Sequence, residues 1–172
     1  MKNLISSIVL AVLRRAPRRS LLSIAGAFAL AVAGLASGVS AEPDNAEARA
    51  LFAKFVAAQN AHDLSAVKSM LWNSPDMLFF SRGTEARGAE AAADRFKEYY
   101  QGTWHLEPDM SGFHAAAITP DVMQILVPIV FTRGLPGATP QSNTFLISQT
   151  FVRDAQGWHI ASILPVANTQ LK

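Results

Sequence analysis

Apolar positions recur with a helical period in the middle of the chain and with a strand period toward its end. In the middle, apolar residues spaced three and four apart predict a helix over about 45–61, with acids near its start. A short second helix is expected over 64–72, where Asp63 can cap its N-terminus. A third is expected over 89–102, ending at Gly102. This part of the chain is therefore expected to be mainly helical.

Strand patterns dominate from Trp104 onward, where β-branched and aromatic residues are frequent. Turn-forming stretches rich in Pro, Gly and Asp separate four such segments. We place these segments at about 104–118, 122–134, 142–154 and 158–166. One more short strand is expected over 76–81, with 82–88 as a turn after it. Helices followed by successive strands predict an α+β domain with an antiparallel sheet.

The stretch FVRDAQGWHIASILPV, Phe151 to Val166, is typical of a hairpin. A polar turn ending in Gly157 is followed by Trp158 and then by an almost continuous apolar run. We expect Trp158 to cover an open end of the core. The run after it is expected to form a strand that is buried on both faces.

The first 41 residues have the three parts of a cleavable secretory signal. Five basic residues and no acid come first, an apolar run rich in Ala and Gly follows, and the small residues Val-Ser-Ala end the segment at Ala41. The sequence Arg-Arg-Ser-Leu-Leu at 18–22 resembles a twin-arginine export signal. Cleavage after Ala41 would leave one domain over 42–172, in the periplasm or secreted. The alternative is a retained membrane anchor, because the apolar run is about long enough to span a bilayer.

Removing the signal changes the sign of the net charge. The whole chain is formally +2 at pH 7, whereas residues 42–172 keep ten of the fifteen basic residues and all thirteen acids, which gives −3. Because no cluster of Lys and Arg occurs in 42–172, we expect no nucleic-acid partner. A membrane partner is expected only through an uncleaved signal.

The residue types also exclude several kinds of chemistry. The chain has no cysteine, which excludes cysteine zinc sites, thiol catalysis and thiolate-bound iron–sulfur clusters. Motifs for phosphate-binding loops, serine-nucleophile elbows and acidic metal loops are missing as well. We therefore expect no metal and no cofactor.

The order of the elements resembles that of the nuclear transport factor 2-like superfamily, which includes ketosteroid isomerase and the SnoaL-type cyclases. The motifs that carry the resemblance are Ala-His-Asp-Leu-Ser-Ala-Val at 61–67, Gly88 before the third helix, and Gly-Trp-His-Ile at 157–160. The resemblance spans about 45–167. It implies three N-terminal helices packed in the concave face of a strongly curved antiparallel sheet, forming a cone-like α+β barrel. It also implies a pocket between the helices and the sheet, and a homodimer.

Ketosteroid isomerase needs a carboxylate base on its first strand and a tyrosine donor in its first helix. By the resemblance, the donor position falls on Phe55 and the base position on Phe80 or Ser81. None of these side chains can take a proton from carbon near neutral pH. Steroid-isomerase activity is therefore not expected.

The candidate pocket residues are aromatic and polar side chains expected at the helix ends and on the inner face of the sheet. They are Phe55, Trp72, Phe80, Phe96, Tyr99, Trp104, His114 and Gln149. Gln149 interrupts the apolar alternation of Phe145, Ile147 and Phe151, and a buried amide must find hydrogen-bond partners. Whether its partner is a ligand or a neighbour in the protein stays open at this point.

Two classes of function remain. The first is an exported module that binds a small apolar or aromatic ligand, or that acts as a dimeric interaction module. The second is a small cofactor-independent enzyme of the cyclase, dehydratase or isomerase type, with His114 as acid or base and Tyr99 or Asp109 assisting.

His114 is preferred among the four histidines because it lies between Phe113 and a run of alanines that would leave space. We expect it on the same strand as His105 but on the opposite face, because the two are nine residues apart. Convergence of His114, Tyr99 and Gln149 within hydrogen-bond reach would favour the enzyme, and their dispersal the binding module.

Overall fold

The structure is a computed structural model that describes the backbone of residues 41–167 and the side chains from residue 45 onward. The predicted export signal, apart from its last residue, lies outside the described residues. Within the described range, no helix is both long and apolar enough to cross a membrane.

Three helices precede most of the sheet, in agreement with the helical pattern of the sequence. Helix α1 spans Ala41–Asn60, α2 spans Leu64–Met70 and α3 spans Ala89–Tyr99. The predicted cap of α2 is confirmed, because Oδ1 of Asp63 accepts a hydrogen bond of 2.9 Å from the backbone N–H of Ala66.

Seven strands of the described residues form one sheet. They are β1 (Leu78–Ser81), β2 (Thr84–Arg87), β3 (Thr103–Pro108), β4 (His114–Thr119), β5 (Val122–Gly134), β6 (Gln141–Asp154) and β7 (Gly157–Ala167). Their order is β2-β1-β7-β6-β5-β3, and β4 pairs with β5 in addition. The three helices and this sheet confirm the predicted α+β fold.

The sheet is mixed and open, whereas the sequence predicted an antiparallel one. β1 runs parallel to β7, with Leu78 opposite Ser162, and the remaining strand pairs are antiparallel. A parallel pair needs a long crossover connection. Here the whole chain between β1 and β7 provides it, so the departure is confined to this one pair.

Residues 82–88 contain a strand, although the sequence predicted only a turn there. Arg82 and Gly83 connect β1 to β2 and have φ angles of +56° and +77°, while Ser81 and Thr84 pair on either side of them. Positive φ at both central positions is the geometry of a type I′ hairpin turn. Arginine rarely adopts it, which explains why this hairpin carries no clear signal in the sequence.

The segment predicted as one strand over 104–118 is broken into β3 and β4. Asp109 accepts hydrogen bonds from the backbone N–H and the hydroxyl of Ser111, at 3.0 and 2.6 Å, and caps a 3₁₀ turn over Met110–Gly112. β3 pairs with the C-terminal half of β5 and β4 with its N-terminal half. The turn therefore changes which residues of this segment face inward.

Alternation along β5 defines the covered face of the sheet. Its buried residues are Met123, Ile125, Val127, Ile129 and Phe131, and the residues between them are exposed or half-buried. Phe52 and Phe55 of α1 and Phe96 of α3 belong to the same buried cluster. The helices thus cover one face of the sheet, and the candidate site lies between the two layers.

Candidate ligand-binding site

A cavity of about 230 Å³ lies between the helices and the buried face of the sheet. Its apolar wall comes from Phe52, Phe55, Val56, Phe79, Phe96, Trp104, Leu106, Ile129, Phe131, Phe145, Ile147, Ile163, Pro165 and Ala167. Its polar wall comes from Gln59, Ser81, Arg82, Arg133 and Gln149. An apolar wall with a few polar groups is the usual composition of a small-molecule site.

Packed aromatic rings form much of this wall. The ring of Phe96 meets that of Phe55 edge to face, with centroids 5.8 Å apart, and stacks on that of Phe79 at 5.0 Å. Trp104 stacks on Tyr99 at 4.6 Å. Such ring pairs are favourable beyond the area they bury, so the cavity has a preformed wall rather than a loose one.

Gln149 is the most deeply buried polar side chain of the wall. It is only 2 % exposed, and it lies on β6 between Ile125 of β5 and Ile163 of β7. Its Oε1 atom has no hydrogen-bond partner among the described residues. A buried acceptor without a partner costs about 1–3 kcal/mol. A ligand that brings an O–H or N–H group to Oε1 would remove this cost.

A second buried polar atom without a partner belongs to Trp104. Its indole Nε1 is an N–H donor, and no acceptor among the described residues meets it. Gln59 of α1, which is also buried, adds another amide to the wall. The residues that line the cavity therefore include hydrogen-bond donors and acceptors within a mainly apolar surface.

Two arginines lie where this cavity meets a neighbouring one. Arg82, at the tip of the β1–β2 hairpin, and Arg133, near the end of β5, line both the first cavity and a second of about 320 Å³. Arg82 is exposed and Arg133 is half-buried. Burial and the positive charge of nearby Arg82 both lower the pKa of Arg133. The mouth of the site therefore carries positive charge.

The structure brings four of the eight predicted pocket residues to the cavity: Phe55, Phe96, Trp104 and Gln149. Three others miss it for local reasons. Phe80 points away from the cavity because its neighbour Phe79 faces inward, and Phe80 is 43 % exposed. Trp72 is partly buried against the core outside the cavity. Tyr99 lines only the second cavity, where its hydroxyl accepts a hydrogen bond of 3.0 Å from Arg95.

His114, the preferred acid or base, does not face the cavity. It is exposed on β4 opposite Leu126, itself an exposed residue of β5. His105 lies opposite Thr132 on β3. Positions 126 and 132 have the same parity on β5, so both histidines are on the same outer face and not on opposite faces as predicted. The turn after β3 causes the change, because it interrupts the alternation between the two histidines.

Asp109 is exposed and has a structural role. Its hydrogen bonds from Ser111, and a further one from the backbone of Gly112, lower the pKa of its carboxyl group. A carboxylate whose ionised form is stabilised in this way is a weak base and a poor proton donor near neutral pH. Asp109 is therefore unsuited to the assisting catalytic role that the sequence suggested.

The described residues of the cavity wall include no group suited to acid–base catalysis. Among the described residues that line it there is no Asp, Glu, His, Lys or Tyr. The resemblance to ketosteroid isomerase indicated Phe55 for the donor and Phe80 or Ser81 for the base, and of these residues Phe55 and Ser81 line the cavity whereas Phe80 does not. Two of the indicated positions therefore lie in the cavity wall, but the side chains there cannot transfer a proton near neutral pH.

Sequence reasoning missed several wall residues, and two of them could have been found. Phe79 is one position from the predicted Phe80, so a strand register shifted by one would have selected it. Arg133 continues the inward alternation of Ile129 and Phe131 on β5. Arg82 depends on a hairpin that the sequence does not announce.

No family model and no curated protein matches the sequence. Solved structures do match. A nuclear transport factor 2-like superfamily protein from Salmonella enterica serovar Typhimurium superposes with a TM-score of 0.67 at 16 % identity, covering 74 % of this chain and 93 % of the other.

Two further structures illustrate the same likeness. A candidate dehydratase of the same family from Streptomyces avermitilis gives a TM-score of 0.64 at 14 % identity, covering 74 % of this chain and 98 % of the other. A ketosteroid isomerase-like protein from Erwinia carotovora gives 0.61 at 14 % identity, covering 75 % and 99 %. At such identities the likeness concerns architecture alone. The chain has the nuclear transport factor 2-like fold, also described as cystatin-like.

Proposed function

We propose that the protein is an exported domain that binds a small, largely apolar molecule in the cavity between its helices and its sheet. One observation carries the proposal: Oε1 of Gln149 is buried without a partner among the described residues, in a wall that is mainly apolar. A native interior rarely leaves such an atom unpaired. A ligand that donates a hydrogen bond to it, and fills the apolar space, accounts for both features.

Binding is favoured over catalysis because the catalytic candidates are dispersed. Of His114, Tyr99 and Gln149, only Gln149 lines the cavity. The neighbouring folds include a ketosteroid isomerase-like protein and a candidate dehydratase, which supports a domain of the ligand-binding or enzyme type. The groups of this wall supply hydrogen bonds and apolar contact, which are sufficient for binding.

The homodimer stays a proposal that rests on the resemblance. The outer face of the sheet carries the exposed apolar residues Ile118 and Leu126, and a second copy would cover such a surface in a protein that dimerises through its sheet.

The Gln149→Leu variant tests the proposed site, with 2-naphthol and naphthalene as probes. Both probes are apolar, but only 2-naphthol can donate a hydrogen bond. In the wild-type protein, 2-naphthol should bind more tightly than naphthalene by about 1–3 kcal/mol. In Gln149→Leu this preference should disappear, and the free energy of unfolding without ligand should stay the same or rise. Calorimetric titrations and melting curves measure both effects.

Gln124→Leu provides the matched control. Gln124 is an exposed amide on the outer face of β5, so its replacement should leave the binding of both probes unchanged. A loss of stability in Gln149→Leu without any change in probe preference would assign Gln149 a structural role. Absence of binding by both probes in the wild-type protein would overturn the proposed function.

Export is tested at the N-terminus. The basic, apolar and small-residue parts of 1–41 support cleavage after Ala41, so mass spectrometry of the exported protein should find an N-terminus at or near Glu42. The paired change Arg18→Lys and Arg19→Lys should block export by a twin-arginine route. Normal export of this variant would indicate the general secretory route, and a full-length membrane-bound main form would contradict cleavage.

A further inference from the structure

Two guanidinium groups stand at the mouth of the cavity, and neither has an acidic partner among the described residues. Within the described part of the chain, neither Arg82 nor Arg133 forms a salt bridge or a hydrogen bond through its side chain. Arginines placed close together in proteins usually share a carboxylate or bind an anion, because like charges repel and each guanidinium presents several N–H donors.

The geometry points to an organic anion as the ligand, with its apolar body inside the cavity and its carboxylate between Arg82 and Arg133. This inference rests on the proposed function, because it specifies the chemical class of the ligand that the same cavity would hold. A planar carboxylate fits the fork of donors on a guanidinium and can accept two hydrogen bonds from it.

Arg133 is the better placed of the two. Its guanidinium lies over the ring of Phe145, 5.2 Å from the ring centroid, and Phe145 is itself part of the cavity wall. The ring fixes the guanidinium next to the apolar space, and partial burial reduces its contact with water. Both effects strengthen a charge-assisted hydrogen bond to an anion. Desolvation and the positive charge of Arg82 also lower the pKa of Arg133, which means that its charged form is destabilised. A bound anion would offset this destabilisation.

The other charges near the mouth do not compete for the site. None of the described residues that line the cavity is an acid. Glu98 lines the second cavity, but its carboxylate accepts a hydrogen bond of 2.6 Å from Arg95. The field at the mouth is therefore set by the two arginines, which favours anions over neutral or cationic ligands.

The positions of the polar groups also bear on the shape of the ligand. Arg133 lies over Phe145, and Gln149 is four residues further along β6. Four strand residues span about 13 Å. A ligand that reaches both ends must be elongated, with its acid at the mouth and any hydrogen-bond donor at the inner end.

The test compares 2-naphthoate with 2-naphthamide, which has the same shape without the charge. At neutral pH and low salt, the purified wild-type protein should bind the acid at least tenfold more tightly than the amide. Arg133→Gln should weaken the binding of the acid about 10- to 100-fold, the usual effect of losing a charge-assisted hydrogen bond. The same change should alter the affinity for the amide by less than about threefold. Arg82→Gln should have a smaller effect, because Arg82 is exposed.

Two controls make the result specific. Arg87→Gln removes an exposed arginine of the same hairpin that pairs with Glu85 outside the cavity, so it should change neither affinity. Arg133→Lys keeps the charge but loses the fork of donors, and it should recover only part of the affinity for the acid. Added salt should weaken the binding of the acid and leave the binding of the amide unchanged.

Four outcomes would overturn the inference. Equal binding of acid and amide in the wild-type protein, or equal weakening of both in Arg133→Gln, would mean that the arginines do not select an anion. If 2-naphthol binds while the acid does not, the cavity binds ligands but not anions. If none of these probes binds, the proposed function fails together with this inference.

Discussion

Phe79→Ala is expected to lower the free energy of unfolding by about 3–5 kcal/mol, the usual range for truncating a buried phenylalanine. Phe79 is 3 % exposed on β1. Its ring stacks on Phe96 at 5.0 Å and meets Tyr99 edge to face at 6.2 Å. Alanine would remove these contacts and enlarge the existing cavity, which cannot collapse because helices and sheet hold its walls. Urea unfolding measures the loss.

Phe80→Ala is the matched control, because it makes the same change one residue later on the same strand. Phe80 is 43 % exposed and points to the outer face, so its replacement should cost less than about 1 kcal/mol. A larger loss at Phe80 than at Phe79 would mean that β1 has the opposite register. The pair therefore tests directly the residue at which the sequence prediction and the structure differ.

The fold could be predicted because its strongest signals are local. The strands β5 and β6 are 13 and 14 residues long, and every second residue is buried over 123–131 of β5 and 147–151 of β6, which is enough to fix the strands and their buried face. Two parts of the fold depend on particular backbone geometry instead. The β1–β2 hairpin turns through an arginine with positive φ, and the parallel pairing of β1 with β7 joins segments far apart in sequence. Neither leaves a periodic trace.

The candidate site was predictable where it follows this alternation. Gln149 could be assigned to the buried face because it stands in register with Ile147 and Phe151, and the structure places it there at 2 % exposure. His114 could not be assigned in the same way. A single 3₁₀ turn, capped by Asp109, separates His114 from the alternating residues of β3. Alternate positions share a face of the sheet only within an unbroken strand.

The described residues of the cavity wall include two arginines and no acid. Phe55 and Ser81, two of the positions that the resemblance to ketosteroid isomerase indicated, line this cavity, and Arg82 follows Ser81 directly. An enzyme that abstracts a proton needs a base near the substrate. A binding site for an anion needs donors and positive charge, and an acid in the wall would oppose it. Both features of the wall therefore favour the same interpretation, a binding site.

Trp158→Ala is expected to cost about 3 kcal/mol, because truncating a large aromatic side chain removes packing contacts that alanine cannot replace. The ring is half-buried against the core, and its Nε1 donates a hydrogen bond of 2.8 Å to Oε2 of Glu47 on α1. The guanidinium of Arg153 lies over the ring of Trp158, 4.4 Å from the ring centroid. Trp158 thus attaches the last hairpin to the first helix.

Trp158→Phe keeps an apolar ring but loses the hydrogen bond, so it should cost about 1 kcal/mol. Glu47→Gln keeps an acceptor for the indole N–H and should cost less than either change. A loss below about 1 kcal/mol for Trp158→Ala would mean that the ring contributes little to the core. The β6–β7 hairpin would then be held by its backbone pairing with the rest of the sheet rather than by its contact with α1.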